Sequence, residues 1–410
     1  MKRELFSLGS LYVSDFLKQD ENPRAKNELK LQLDSATGLV RLSSVADKQL
    51  MYGKYWYRSG INASMRNDLL DIVRSIDKVK RLSPADVWLD IACNDGTLLE
   101  HVGNLGKEII RIGIDPADDT FVRESTRHSE EIIQDFFTFE SYKNSKFGNI
   151  NPAVITTIAM FYDLEDPATF IQDVRRIIDK NGIWVLQMSY TPLMLNQLAF
   201  DNICHEHVYY YSLFNIKELL EKNGFKLVDC QLNSVNGGSF RIYAQRSDAD
   251  KSSFADQSFR DVGNYRIAST LAYEEKLNLG SSETWLEFFS RIEALKKKTR
   301  DFIISEKSLG KKIWAYGAST KGNTLLQYFG LDSSLIEGIA ERSSYKFGLR
   351  TVGTNIPICS EAEMREKNPD YLLVLPWHFI SEFVERENEF LERGGKFIVP
   401  CPEFNIIGKK

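Results

Sequence analysis

The chain has 410 residues, more than one hydrophobic core ordinarily serves, so two or three domains are expected. Hydrophobic residues at 43% and charged residues at 27% fit a globular chain and exclude a disordered one. A formal net charge of −5 argues against nucleic acid or an anionic membrane as a partner, while a local basic pocket for a phosphate stays open.

No stretch is apolar for long enough to span a bilayer. The charged start Met1-Lys2-Arg3-Glu4 has no apolar run behind it, so no secretory signal is expected. Cys93, Cys204, Cys230, Cys359 and Cys401 are odd in number and never spaced C-x-x-C. They predict neither a disulfide framework nor a zinc knuckle, and a reducing cytoplasm as the location.

The first 68 residues are mixed in character and end in the aromatic tract Met51-Tyr52-Gly53-Lys54-Tyr55-Trp56-Tyr57-Arg58-Ser59-Gly60. Leu69, Leu70, Ile72, Val73 and Ile76 then predict an amphipathic helix over 67–78. From about residue 85 strands and helices alternate: strand 87–91, helix 97–105, strand 109–114, strand 152–158, helix 166–179 and strand 183–188. A hairpin of 226–232 and 239–244 turns at Asn236-Gly237-Gly238. Such alternation predicts a largely parallel sheet with helices on both faces. Residues 248–253 read as a loop, and Trp285, Phe288, Phe289, Ile292, Leu295 and Phe302 mark one face of a long connecting helix. A second α/β cycle begins at Lys312, with strands 313–316, 335–340, 371–375 and 396–399 and helices 324–329 and 380–393. It predicts a second, smaller Rossmann-like domain.

The strongest local signal is Leu89-Asp90-Ile91-Ala92-Cys93-Asn94-Asp95-Gly96, a strand running through a small-residue turn into a helix. Small residues let a ligand approach the backbone, and the helix start offers free N–H groups. The full G-x-G-x-x-G pattern for a pyrophosphate is absent, which favours S-adenosylmethionine (AdoMet) over NAD. Asp90, Ala92, Asn94, Asp95 and Gly96 are therefore candidate cofactor residues, Asp90 either opposing the cofactor's positive charge or ordering the loop. Asp115 ends the next strand, where an acidic side chain binds ribose hydroxyls. Asp135 and Phe136 stand where the third strand should end and could hold an adenine, and Met160 and Tyr162 complete the set at the end of the fourth.

Cys204-His205-Glu206-His207 gathers the chemistry-bearing side chains. Metal ligation, acid–base catalysis by His205 or His207 with Glu206, and surface histidines ahead of a helix all remain open. The H-E-x-x-H spacing is absent, and residues at i, i+2 share a face only on a strand.

Eight elements in one order resemble the AdoMet-dependent C-methyltransferases of nucleotide-linked 4-keto-6-deoxy sugars. They are the tract 55–60, the turn 90–96, Asp135-Phe136-Phe137, Cys204 to His207, Asn236-Gly237-Gly238-Ser239, the loop 316–323, Gly353-Thr354-Asn355-Ile356-Pro357-Ile358 and Pro376-Trp377-His378. The resemblance implies an α/β protein: a small N-terminal domain (1–68), a central class I AdoMet-dependent methyltransferase domain (69–248), a helical connector (249–308) and a C-terminal Rossmann-like domain (309–410). It implies that Glu206 and His207 belong to the active centre, with His207 the base, and that Tyr55 or Tyr57 faces the substrate. Arg58, Asp163, Asn236, Lys321, Asn323, Trp377 and His378 are the implied substrate-side residues. Lys321 adds charge for a diphosphate at a helix start, unless the C-terminal unit is kept for packing alone; Trp377 either lines an interdomain cleft or is buried. The family's tyrosine is Cys204 here, an active-site histidine is Asp163, and a glutamate after the fifth strand is Gln187. Two C-x-x-C pairs are missing, with Asp34 and Thr37 at the second, so no zinc is expected.

The expected reaction is base-catalysed enolate formation beside a ketone followed by methyl transfer to carbon, with no metal, in a monomer or homodimer. A methyltransferase acting on O or N of a small molecule, or a non-catalytic protein of the same fold, are the alternatives the sequence leaves.

Overall fold

The structure, a computed structural model, describes residues 2–47, 51, 55–250 and 257–409. Residues 52–54 of the aromatic tract and 251–253 of the expected loop lie outside them. Near the N-terminus run β1 (Lys2–Tyr12), β2 (Phe16–Leu17), β3 (Lys26–Asp34) and β4 (Val40–Leu42). Leu29, Leu31 and Leu33 alternate inward along β3, the two-residue period of a half-buried strand. The sequence reading found no strands here. β1 slips register between Glu4 and Phe6 and again between Ser7 and Ser10, which breaks the alternation that would have revealed it. At the position of the absent second C-x-x-C pair, Asp34 accepts from Ala36 N–H at 2.9 Å through its side chain and from Gly38 N–H at 2.8 Å through its carbonyl.

The central unit comprises α1 (Ala63–Val79), β5 (Val87–Ile91), α2 (Thr97–Gly103), β6 (Ile110–Ile114), α3 (Asp119–Ser125), β7 (Glu131–Ile133), β8 (Val154–Ile158), α4 (Pro167–Ile177), β9 (Ile183–Ser189), β10 (Tyr209–Tyr210), α5 (Leu213–Lys222), β11 (Phe225–Asn233) and β12 (Ser239–Arg246). Seven strands form one sheet in the order β11-β12-β9-β8-β5-β6-β7. β5 to β9 are parallel and β12 runs antiparallel to β9. β5 is buried at every position, as a strand covered on both faces must be. It comes first in the chain yet sits centrally, so the chain leaves it towards β6 and β7 on one side and returns to β8 and β9 on the other. The crevice for a ligand forms at the carboxyl ends of strands at that reversal. Arg241 on β12 locks α1 onto this sheet, 3.1 Å from Asp68 and 2.8 Å from Asp71, with Gln187 accepting from it at 2.9 Å. β10 leaves the central sheet and pairs with β4, completing the N-terminal sheet.

Two helices, α6 (Gln257–Leu277) and α7 (Ser282–Ser308), lead into β13 (Ile313–Tyr316), α8 (Thr320–Phe329), β14 (Ile339–Glu341), β15 (Arg350–Thr351), β16 (Ile358–Ser360), β17 (Tyr371–Val374), β18 (Lys396–Val399) and β19 (Asn405–Ile407). Trp285, Phe288 and Ile292 of α7 share one core with Phe6, Leu29 and Leu31 of the N-terminal sheet. The second sheet has the order β16-β14-β13-β17-β18-β19 and repeats the logic of the first, with its earliest strand in the middle. The strand expected over 335–340 begins later, because Asp332 turns residues 334–336 back on itself. The helix expected over 380–393 breaks at Glu387, whose buried carboxylate is drawn to the Tyr316 hydroxyl at 2.8 Å. β15 pairs with β2, tying the N-terminal segment to the C-terminal unit.

Candidate active site

The turn from β5 into α2 holds Ala92 at φ 61°, Asn94 at φ 53° and Gly96 at φ 80°. A Cβ on Gly96 would lie 2.7 Å from the Ser125 Cα, so only glycine fits that turn. Asp115 secures it, accepting from Asn94 N–H at 2.8 Å and Ala117 N–H at 2.9 Å. Asp90 is buried and accepts from Thr156 at 2.6 Å, and burial pushes its carboxyl up to about 7. That bond to Thr156 ties β5 to the neighbouring strand β8.

Asn94 and Asp95 turn their side chains away from the crevice expected of them. Asn94 accepts from Ser59 N–H at 3.0 Å and donates to the Tyr57 carbonyl at 2.9 Å. Asp95 accepts from Gly60 N–H at 2.8 Å and from Thr97 at 2.6 Å. Together they strap the tract 57–60 onto the turn. Arg58, in the same tract, pairs with Glu124, donates to Thr120 at 2.6 Å and lies 3.9 Å from the Phe121 ring and 4.4 Å from that of Tyr345.

The tract forms one wall of a cleft with an empty volume of about 1330 Å³, its open mouth included. Tyr55, Tyr57, Arg58, Tyr162, Asp163, Glu206, His207, Asn236, Lys321 and His378 all line it. Burial first, then the charges of Asp163, Glu206 and Asp115, hold the Tyr55 hydroxyl well above its ordinary range; Tyr55 thus stands between the end of β6 and the segment around Glu206. Tyr57 is raised chiefly by burial, and its hydroxyl finds no hydrogen-bond partner among the described residues. Both phenols stay protonated and can donate.

His207 is 8% exposed, its ring 4.2 Å from that of Tyr162. Burial, then the positive charge of Lys321, hold its imidazole well below the usual value, with the main chain of Asn202 pulling the other way. It is neutral at pH 7, as a base must be. Glu206 does not orient it: no hydrogen bond joins the two among the described residues, and Glu206 Oε2 is buried without a partner. Cys204 replaces the expected tyrosine as a buried thiol raised by burial and by Glu206. His205 does not reach the cleft. The segment is a turn closed by His207 N–H to the Cys204 carbonyl, and His205 Nε2 lies 3.1 Å from the Asn27 carbonyl on β3. Its inclusion among the catalytic candidates is therefore corrected.

The far side of the cleft is the reversal point of the second sheet, with Gly317 to Lys321 after β13, Glu341 and Arg342 at and after β14, and Pro376 after β17. Lys321 reaches across to donate to Asn202 at 2.6 Å. Trp377 lies behind the lining and donates to Asp201 at 3.2 Å. His378 does line the cleft, pushed down to about 3 by burial and by Lys321. Asn323 is misassigned: it is 1% exposed and donates to the Asp15 carbonyl at 3.1 Å, where it joins the two terminal units. Asp135 and Phe136 are exposed beyond the end of β7 and Met160 is half-buried at the end of β8, all outside the cleft lining. Among the described residues no group of three histidine, cysteine or carboxylate side chains could hold a metal, and no helix is long and apolar enough to cross a membrane.

Sequence reasoning missed Asp201, Glu341 and Arg342. Glu341 carried a usable signal: an acidic side chain at a strand end, some twenty residues after a glycine turn, which was applied only to Asp115. Asp201 carried none, since a loop aspartate is ordinary.

Family models match in two blocks, a methyltransferase domain over residues 64–229 and a C-methyltransferase C-terminal domain over residues 234–402. The C-methyltransferase NovU of Streptomyces niveus is 28% identical over 408 residues, covering 98% of this chain and 94% of that protein. Among solved structures, the magnesium protoporphyrin IX methyltransferase of Synechocystis PCC 6803 is 13% identical, over 45% of this chain and 79% of its own, with a TM-score of 0.33. The plantazolicin methyltransferase BpumL is 11% identical, over 44% and 83%, with a TM-score of 0.35. A seven-stranded sheet reversing at β5 and two adjoining family matches agree: the chain is an AdoMet-dependent methyltransferase whose second half matches a C-methyltransferase C-terminal domain.

Proposed function

We propose that this enzyme methylates a carbon beside the ketone of a nucleotide-linked keto-deoxy sugar, with His207 as the base that forms the enolate. The observation that carries this reading is a neutral imidazole lining the same cleft as two protonated tyrosines and the reversal point of a second Rossmann-like sheet. Methyl transfer to a hydroxyl or amine needs little acid–base machinery; transfer to carbon needs a base and an acceptor for the enolate charge.

The residues at the end of the first sheet suit AdoMet. Asp115 directly follows β6, the position from which an acidic side chain reaches ribose hydroxyls, and Phe136, 43% exposed, offers a ring to adenine. When bound, AdoMet supplies the methyl electrophile. The ring nitrogen of His207 not engaged by the Asn202 main chain takes the proton from carbon. Tyr57, whose buried hydroxyl lacks a partner among the described residues, and Tyr55 donate towards the ketone oxygen. Arg342 is exposed where the cleft meets β14 and forms no ion pair among the described residues, which suits it to a diphosphate.

A panel of nucleotide-linked 4-keto sugars incubated with methyl-labelled AdoMet tests this. One member should gain a methyl group on the carbon adjacent to the ketone. His207→Asn should bind AdoMet as the wild type does and lose methyl transfer by at least about 100-fold, the range for a positioned base. Label arriving on oxygen or nitrogen instead would remove the reading.

A further inference from the structure

We propose that Lys321, a residue of the C-terminal unit, is a catalytic residue of the methyl transfer: its ammonium donates to the ketone oxygen on which negative charge builds as His207 removes the neighbouring proton. This rests on the reading above, that a carbon beside a ketone is deprotonated in the cleft.

The placement is the first support. Lys321 is the second residue of α8, yet its Nζ crosses the cleft to Asn202 Oδ1 at 2.6 Å, and that oxygen is itself held by Ser189 at 3.2 Å. A neutral amide anchors the ammonium, and no carboxylate lies within ion-pair distance of it among the described residues. With an amide as its contact partner, the half-buried ammonium keeps two further N–H donors for an arriving anion. Its charge is felt by His207, Asp201, Cys204 and His378, which places it on the cleft floor beside the base. Arg342, by contrast, is exposed.

The chemistry is the second. A carbon acid beside a ketone is weak, and His207, pressed down by burial and by this cation, is a weak base. Neutral phenols alone leave the two poorly matched. A fixed cation at the ketone oxygen acidifies the carbon, and a water-poor cleft enlarges its effect. One charge thus keeps the base neutral and compensates for the basicity it removes. In the step, the C–H bond breaks and its proton goes to His207. The electron pair moves through the new carbon–carbon double bond to the ketone oxygen, which accepts from Lys321 Nζ. The pair then returns to form the carbon–methyl bond as the sulfonium departs as a thioether, and the ketone is restored. Lys321 keeps its proton throughout.

The titratable groups lining the cavities that His207 faces include Tyr55 and Tyr57 of the tract, Tyr162 and Asp163 after β8, Asp201, Cys204, Glu206, Tyr209 and Tyr210 around its own segment, Lys321 on α8 and His378 after β17. Lys321 is the charge among them that holds His207 down, so its removal should move the acid limb of kcat/KM to higher pH.

The test compares wild type, Lys321→Gln and Lys321→Cys before and after aminoethylation, which rebuilds an ammonium at that position. The readouts are hydrogen exchange beside the ketone in deuterated water, kcat and KM across pH, and AdoMet affinity as a check on folding. The expected results are a kcat loss of about 100-fold or more in Lys321→Gln with KM nearly unchanged, an acid limb displaced upward, and recovery on aminoethylation. A raised KM with intact kcat makes Lys321 a diphosphate clamp and overturns the proposal, as does a folded Lys321→Cys that aminoethylation fails to rescue. Wild-type enzyme that exchanges no hydrogen with any 4-keto sugar sinks the underlying reading. Wild type and Lys321→Gln exchanging equally well sink this proposal alone.

Discussion

His207 shows how burial and one neighbouring charge tune a side chain. An imidazole in water is half-protonated near pH 6.5. Here it is held well below that, so it is already in its basic form at neutral pH. Because the group is depressed, activity should hold as pH falls through 6.5 and fail only when the lowered value is reached. A kcat/KM profile with its acid limb at or above pH 6.5 contradicts this. His205, two residues away, is bound to a backbone carbonyl on β3, so His205→Gln should leave the catalytic rate within about threefold of wild type, since it removes no group from the cleft. Gly96 makes a stability prediction. Gly96→Ala adds a Cβ at positive φ against the Ser125 backbone and should cost at least about 1 kcal/mol in urea unfolding. Which histidine faces the cleft was not legible in residues 204–207. The resemblance favoured His207, but the spacing left both in play, because the direction of each side chain depends on a turn that only the closing hydrogen bond defines.

At the scale of elements, the strap between the β5–α2 turn and the tract 57–60 joins what the sequence presented as two separate motifs. Asn94 and Asp95 each satisfy backbone N–H groups of that tract. Asp95→Ala leaves the part-buried Gly60 N–H without its acceptor, at about 1 kcal/mol. It should lower kcat through displaced tyrosines more than it weakens AdoMet binding, as turnover and calorimetry would show. Arg241 between Asp68 and Asp71 is the comparable device for α1. Removing one partner of a buried pair costs about 3–5 kcal/mol, so Arg241→Ala should lower the urea midpoint markedly. The parallel strands were legible because full burial writes continuous apolar runs such as Val87 to Ile91. The N-terminal sheet was not: its core is completed by α7 and its fourth strand by Tyr209 and Tyr210, partners that no local pattern reveals.

At the scale of the whole molecule, the segment after β8 of the first sheet and the reversal point of the second line one cleft, and the N-terminal segment touches both units through β10 and β15. Packing of Phe6, Leu29 and Leu31 on Trp285 and Phe288 supplies the N-terminal unit with an apolar core. Prolonged treatment with a zinc chelator should therefore leave both turnover and the unfolding midpoint unchanged.

The most direct measurement is hydrogen exchange beside the ketone of a nucleotide-linked 4-keto sugar in deuterated water, for wild type and for His207→Asn, with AdoMet binding followed in the same samples. Wild type should exchange that hydrogen and His207→Asn should not, at matched AdoMet affinity. Exchange at the wild-type rate in His207→Asn would show that another group removes the proton.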